Sequence, residues 1–341
     1  MFIIYVKGNT FRNISSTDEL YVISVSDFTL ETSAVLFLNN TFENIAINTL
    51  NDYSVLGVSE IKELFVLDCS FLNISGSGSI VETKSTLIQS LLFNANSMSS
   101  ITEGAGYKIA ASICMKISID RDNMSQINTQ DTWISINCDR LQSTIRMTNS
   151  NYTDVNITYT DDELLETVFL MAHAQQAPNE AEGSFKMQNC SFSKIIFDKT
   201  QQLYTQDMFT SPIIEIAVSK SSAIIENCVF SEMVNTPVDS IMAISADSIS
   251  FSGCVLQGLK FYEDNGCLAL VSGAITLQDT IFKNNQAELG QKRGGALIVL
   301  VNPIEGFTME VSVQNCSFEG NLGSLIAFEN LMLNLNVNDT I

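Results

Sequence analysis

Proline, tryptophan and histidine are almost missing from this sequence: its 341 residues include 4 Pro, 1 Trp and 1 His. A lone imidazole rules out any His-rich metal site. Cations are scarce too, 17 Lys and Arg against 38 Asp and Glu, and a net charge of −21 repels phosphate backbones and anionic lipid. Nucleic acid is therefore excluded as a partner. No apolar run approaches the roughly 18 residues that cross a bilayer, so no membrane span is expected within the segment. The opening MFIIYV lacks a basic leader and a small-residue cleavage site, and reads as a strand.

What the chain does have is apolar material, 45% of its residues, set among abundant Ser, Thr and Asn. Such a mixture suits many short strands joined by polar turns. A search for self-similarity finds one short box: a small residue, a spacer, a large apolar residue, a variable residue, often Asn, then an apolar residue. Clear copies centre on Phe11, Phe42, Phe71, Phe192, Phe230, Leu256, Phe282 and Phe318, and looser ones on Phe93, Met124 and Tyr152. Gaps between copies range from about 22 to about 40 residues, too irregular for helical arrays.

Each box follows a run of alternating apolar residues, such as Met309, Val311 and Val313, or Ile249 and Phe251. Alternation of this kind is strand patterning. Further upstream lies a third run of aliphatic residues, for example CLALV from Cys267, PIIEIAV from Pro212 and GGALIVLV from Gly294. Three short strands and one variable polar loop per repeat cannot bury a core alone, but stacked coils about 4.8 Å apart can. The expected fold is all-β, a right-handed parallel β-helix of about eleven irregular coils, with residues 1–341 forming one solenoid. Both ends fall mid-repeat, so the segment is expected to belong to a longer chain. A leucine-rich-repeat solenoid is the rival, since IKELFVLDCSF from Ile61 to Phe71 fits its template.

In the β-helix the large apolar residues stack in one interior column. The Asn two residues on, at Asn13, Asn44, Asn73 and Asn284, then occupies a turn, where Asn tolerates left-handed backbone. Five of the 8 Cys (Cys69, Cys190, Cys228, Cys254 and Cys316) share the slot two residues before the large apolar residue. Asn9, Asn40 and Thr280 take it elsewhere, so the slot calls for a small inward side chain. Stacked side chains there are too far apart for ready bridging, and free buried thiols are expected. Cys114 and Cys138 lie outside the slot and form one candidate disulfide pair, with the state of Cys267 left open. No Cys or His spacing points to zinc or redox chemistry, and no cofactor is expected.

The pairing of FKNN at Phe282 to Asn285 with GGAL at Gly294 to Leu297 resembles the FxxN and GGA(I/L/V) repeats of chlamydial polymorphic outer-membrane proteins. Similar coils occur in surface proteins of ciliates and other protists, within the pectin-lyase-like superfamily. The resemblance implies a secreted or surface-displayed, adhesin-like β-helix that binds a protein or a glycan, with no catalytic residues. Acceptor triplets for N-glycosylation at Asn13, Asn39, Asn73, Asn123, Asn151 and Asn156 agree with that compartment. Three more, at Asn189, Asn315 and Asn338, complete the set, Asn189 and Asn315 being expected to be crowded by the neighbouring Cys slot.

The alternative function is a polysaccharide lyase or glycoside hydrolase of the same superfamily, which needs clustered carboxylates on one exposed face. His173 is read as a solvated loop residue. Asp161 and Asp162 are adjacent, and on a strand point to opposite faces. The glycines of Gly76 to Ser79 and Gly290 to Gly295 lack the spacing of phosphate loops, and Lys292 with Arg293 reads as a solvated basic tip.

Overall fold

The computed structural model describes residues 2–16, 22–26, 33–47, 54–76, 78–129, 132–159, 169–174, 183–199, 212–236, 240–262, 266–288, 296–301, 308–329 and 332–340. Among these every regular element is a strand and every strand pairing is parallel. Parallel strands that follow one another without helices require a coil that climbs one rung per turn, and the chain is a parallel β-helix, of the right-handed sense that parallel crossovers take.

Three ladders run along it. The box ladder holds Thr10–Ser16, Thr41–Ile47, Ser70–Gly76, Ser97–Thr102, Asn123–Thr129, Asn151–Tyr159, Ser191–Lys199, Val229–Ser231, Val255–Gln257, Ile281–Lys283 and Ser317–Glu319, eleven rungs in unbroken order. A leading ladder precedes it, beginning with Phe2–Lys7, Ser33–Leu38, Glu63–Leu67 and Ser90–Asn94. A third ladder includes Ser54–Ser59, Leu170–Ala174 and Leu268–Val271. Three strands per coil is not universal. Ala105–Asp120, Ile134–Thr148, Ile214–Glu226 and Met242–Ser252 each run through both the third and the leading ladder as one bent strand. Register shifts at Cys114/Lys116 and Val218/Ser222 mark two of the bends.

The leucine-rich-repeat alternative fails here. Its best match, Ile61 to Phe71, covers the whole of Glu63–Leu67 and the start of Ser70–Gly76, and strand rather than helix follows.

Numbering each box from its large apolar residue as position 0, the column reads Phe11, Phe42, Phe71, Met98, Met124, Tyr152, Phe192, Phe230, Leu256, Phe282, Phe318, each in register with the next. Neighbouring rings lie face to face: Phe42 and Phe71 at 5.0 Å, Phe192 and Phe230 at 5.2 Å, Phe282 and Phe318 at 4.8 Å. Phe93 corrects one expectation. It sits in the leading ladder opposite Val66 and Ile119, and Met98 holds position 0 of its coil.

Two corners bracket every box. At position −3 (Gly8, Asn39, Asp68, Ala95, Arg121, Asn149, Asn189, Asn227, Gly253, Asp279, Asn315) and at position +2 (Asn13 through Gly320), all eleven coils adopt φ between 50 and 66°. Left-handed backbone at both positions is what turns the chain, and it explains the Asn, Asp and Gly found there. Exposed amides are tied across coils: Asn44 Nδ2 donates to Asn13 Oδ1 at 3.1 Å, and Asn73 Nδ2 to Asn44 Oδ1 at 3.0 Å.

Candidate interaction surface

The inward slot at position −2 is a column of its own: Asn9, Asn40, Cys69, Asn96, Asp122, Ser150, Cys190, Cys228, Cys254, Thr280, Cys316. From Asn40 onward it is buried throughout. Its polar members are sewn to the backbone of neighbouring rungs. Asn40 Nδ2 donates to the Val6 carbonyl at 2.9 Å, the Cys69 amide to Asn96 Oδ1 at 3.0 Å, and the Asn96 amide to Asp122 Oδ1 at 2.9 Å. The sequence reading of a small inward side chain covers only part of the slot, which also takes a side chain that bonds along the axis. Cys69, Cys190, Cys228, Cys254 and Cys316, with Cys267 of the third ladder, are free and buried.

Asp122 is the one carboxylate in that column. Its Oδ2 accepts from the Tyr107 hydroxyl, its Oδ1 from the Asn96 side chain at 3.2 Å, and its own amide donates to Ser150 Oγ at 3.2 Å. Burial pushes its pKa up to about 7, against the pull of the Tyr107 and Asn96 donors, and burial with the Asp122 charge pushes Tyr107 well above the usual phenol range. The cluster is sealed inside the coil, so it is a structural polar core rather than a reaction site. Asp120, two residues earlier and facing out, behaves oppositely. Burial pushes it up, but donation from Thr148, Asn149 and Arg121 outweighs this and holds it below the usual carboxylate range.

Cys114 and Cys138 form a disulfide between adjacent coils, closing the question the sequence left open. His173 is not a loop residue. It lies on Leu170–Ala174 with Nε2 2.8 Å from Glu215 Oε1, on a half-buried outer face. Asp161, Asp162, Gly290 to Gly295, Lys292 and Arg293 fall outside the described residues, and among the described residues no three His, Cys, Asp or Glu side chains gather as a metal site. No helix among them is long and apolar enough to cross a membrane.

The acceptor asparagines Asn13, Asn39, Asn73, Asn123, Asn151, Asn156, Asn189, Asn315 and Asn338 are all exposed. This corrects the expectation for Asn189 and Asn315: their corner backbone turns the amide outward while the neighbouring Cys turns in. Asn189 Nδ2 reaches Asn149 Oδ1 at 3.0 Å.

The outer surface of the leading ladder holds a feature that sequence reasoning missed. On four successive rungs, Tyr5, Leu36, Phe65 and Leu92 stand in register, facing away from the buried Val35, Phe37, Leu64, Val66, Leu91 and Phe93. Leu38 and Leu67 flank them two residues on, and Ile3 lies two residues before Tyr5. Tyr5 is 55% exposed and Ile3 53%; the others are half-buried. Farther along the same column the residues are polar: Ser118, Arg146 and Lys186. From the rung and residue spacings this apolar stripe measures about 14 by 7 Å on a rigid sheet. No family model matches the chain, and neither a curated protein nor a solved structure matches it significantly.

Proposed function

We propose that this chain is a non-enzymatic β-helix scaffold of a secreted or surface-displayed protein, and that it docks another protein through the stripe Tyr5, Leu36, Phe65 and Leu92. The stripe is the observation that carries the reading. The row lies on the outside of a sheet whose other face already fills the core, so its apolar area is open to being covered by a partner. A stiff sheet also orders few groups on binding, which lowers the entropic cost of association. Support for the compartment comes from the Cys114 to Cys138 disulfide, a bond typical of oxidising environments. The resemblance of FKNN and GGAL to polymorphic outer-membrane-protein repeats, and to pectin-lyase-like coils generally, points the same way. Acidic polysaccharide is a poor ligand for a chain of net charge −21.

The test uses the labelled chain, binding to intact cells and to a glycan array, with Leu36→Asp/Phe65→Asp beside the parent. Both substituted side chains face outward, so the variant keeps its β-sheet circular dichroism. Loss of cell binding in the variant supports protein docking at the stripe. Equal binding by both proteins, or binding to glycans alone, rejects it.

A further inference from the structure

The nine acceptor asparagines are not scattered over the coil. Asn13, Asn73, Asn123, Asn151 and Asn156 lie in box strands, and Asn39, Asn189 and Asn315 are the position −3 corners that lead into them. Asn338, the last residue of Met332–Asn338, adjoins the same corner. All nine are exposed, and apart from Asn338 at the end of its leading strand no acceptor triplet falls on the outer faces of the third ladder or of the leading strands.

Resting on the secreted or surface-displayed reading above, we propose that the box-strand face and its leading corner carry N-linked oligosaccharides, so that one side of the solenoid is sugar-shielded and the side bearing the apolar stripe stays bare. The geometry permits it at each site. A left-handed corner or an outward strand position points the amide into solvent without moving the core. Where the amide nitrogen is engaged, as in Asn73 Nδ2 to Asn44 Oδ1, Asn189 Nδ2 to Asn149 Oδ1 and Asn315 Nδ2 to Asp279 Oδ1, a glycosylated amide keeps one N–H, enough for the single bond. One pair is mutually exclusive. Asn123 and Asn151 are register partners on adjacent strands, about 4.8 Å apart, and Asn151 Nδ2 donates to Asn123 Oδ1. Two branched sugars crowd each other on side chains that close together, so at most one of the two is occupied in any molecule.

The chain is expressed behind a secretory leader in a glycosylating host. Sites are mapped by amidase deglycosylation in heavy-oxygen water with peptide mass spectrometry. Glycans are added inside the endoplasmic reticulum, so a retained chain is mapped from its lysate in the same way. The expected result is sugar on most of the nine positions, with Asn123 and Asn151 never modified together. Hydroxyl-radical footprinting before and after deglycosylation then reads the sidedness. Labelling should rise at Leu72, beside Asn73, and at Ile196, the register partner of Asn156, and stay constant at Tyr5 and Phe65. A chain free of sugar, or equal gains at Tyr5 and Phe65, overturns the inference while leaving docking at the stripe intact. Unchanged cell binding by Leu36→Asp/Phe65→Asp overturns the docking and leaves the glycan map standing.

Discussion

The hydroxyl of Tyr107 donates to the carboxylate of Asp122 from fifteen residues away in sequence, inside a coil from which both are excluded from water. The two residues stand near the start and just past the end of the bent strand Ala105–Asp120, and the pair anchors the polar slot where the phenylalanine column gives way to Met98 and Met124. Because burial lifts Asp122 from 3.8 to about 7, its protonated form is favoured in the folded chain. The folded state therefore holds more protons than the unfolded state between those two values. The stabilising contribution is fully present below about pH 4, falls as pH rises toward 7, and is gone above it. Asp122→Asn, which supplies a neutral side chain of the same shape, removes this dependence. The variant should match the parent near pH 4 and exceed it near pH 8 by up to about 4 kcal/mol, the equivalent of a three-unit shift. Urea midpoints for both proteins across that range check the prediction, and parallel profiles would contradict it.

Phe192 sits between Tyr152 at 4.9 Å and Phe230 at 5.2 Å, with Phe169 edge-on at 6.0 Å. Phe192→Ala empties a site walled by rings on three sides, and the neighbouring rungs are fixed by their own ladders and cannot close on it. The expected loss is about 3–5 kcal/mol. Phe11, in the first box strand and only partly buried, gives the comparison. Phe11→Ala should cost about 1–2 kcal/mol, because less apolar area leaves the core. The measurement is the difference in urea midpoint followed by far-ultraviolet circular dichroism.

The left-handed corners yield two predictions of opposite sign in one column. Ala95, at φ 54°, holds a conformation that costs an alanine about 1–2 kcal/mol. Ala95→Gly relieves this, less the roughly 0.5–1 kcal/mol of extra unfolded-state freedom glycine brings, for a net gain of several tenths of a kcal/mol. At Gly253, φ 64°, an added Cβ would lie 2.5 Å from Asn227 Oδ1. Gly253→Ala therefore combines backbone strain with a clash and should destabilise by about 1–3 kcal/mol. Thermal melts of the two variants should move in opposite directions.

How much of this was legible in the sequence depends on whether a residue's role follows from its own coil. The position 0 column was readable because a large apolar residue with a small one two places before it recurs at the same corner. Met98 was hidden by Phe93, five residues upstream and also inward, so the larger ring drew the alignment. Asn96 was displaced from the slot with its coil when Phe93 took the alignment, and Asp122, two residues before Met124, is a carboxylate where Asn9, Asn40 and Thr280 are neutral. Tyr107 reaches Asp122 only because the bent strand Ala105–Asp120 and the corner at Arg121 carry the chain partway round the coil and bring both side chains into its interior, which no local pattern announces. The apolar stripe escaped for another reason. In SAVLFL and ELFVL both faces of the strand are apolar, and such runs read as strands buried on both sides.

The inward slot finally predicts thiol chemistry. Cys69, Cys190, Cys228, Cys254, Cys267 and Cys316 are free and no more than 2% exposed, while Cys114 and Cys138 are bonded to each other. Attack on an aromatic disulfide reagent needs an exposed thiolate, and desolvation alone pushes the Cys267 thiol well up. The native chain should therefore release no chromophore on the timescale in which small thiols react. In urea without reductant six equivalents should appear, and after reduction eight. Rapid reaction of the native protein would place at least one of these six cysteines on the outside. Four equivalents in urea would mean that two stacked thiols, such as Cys190 and Cys228 on neighbouring rungs, had closed a second bridge.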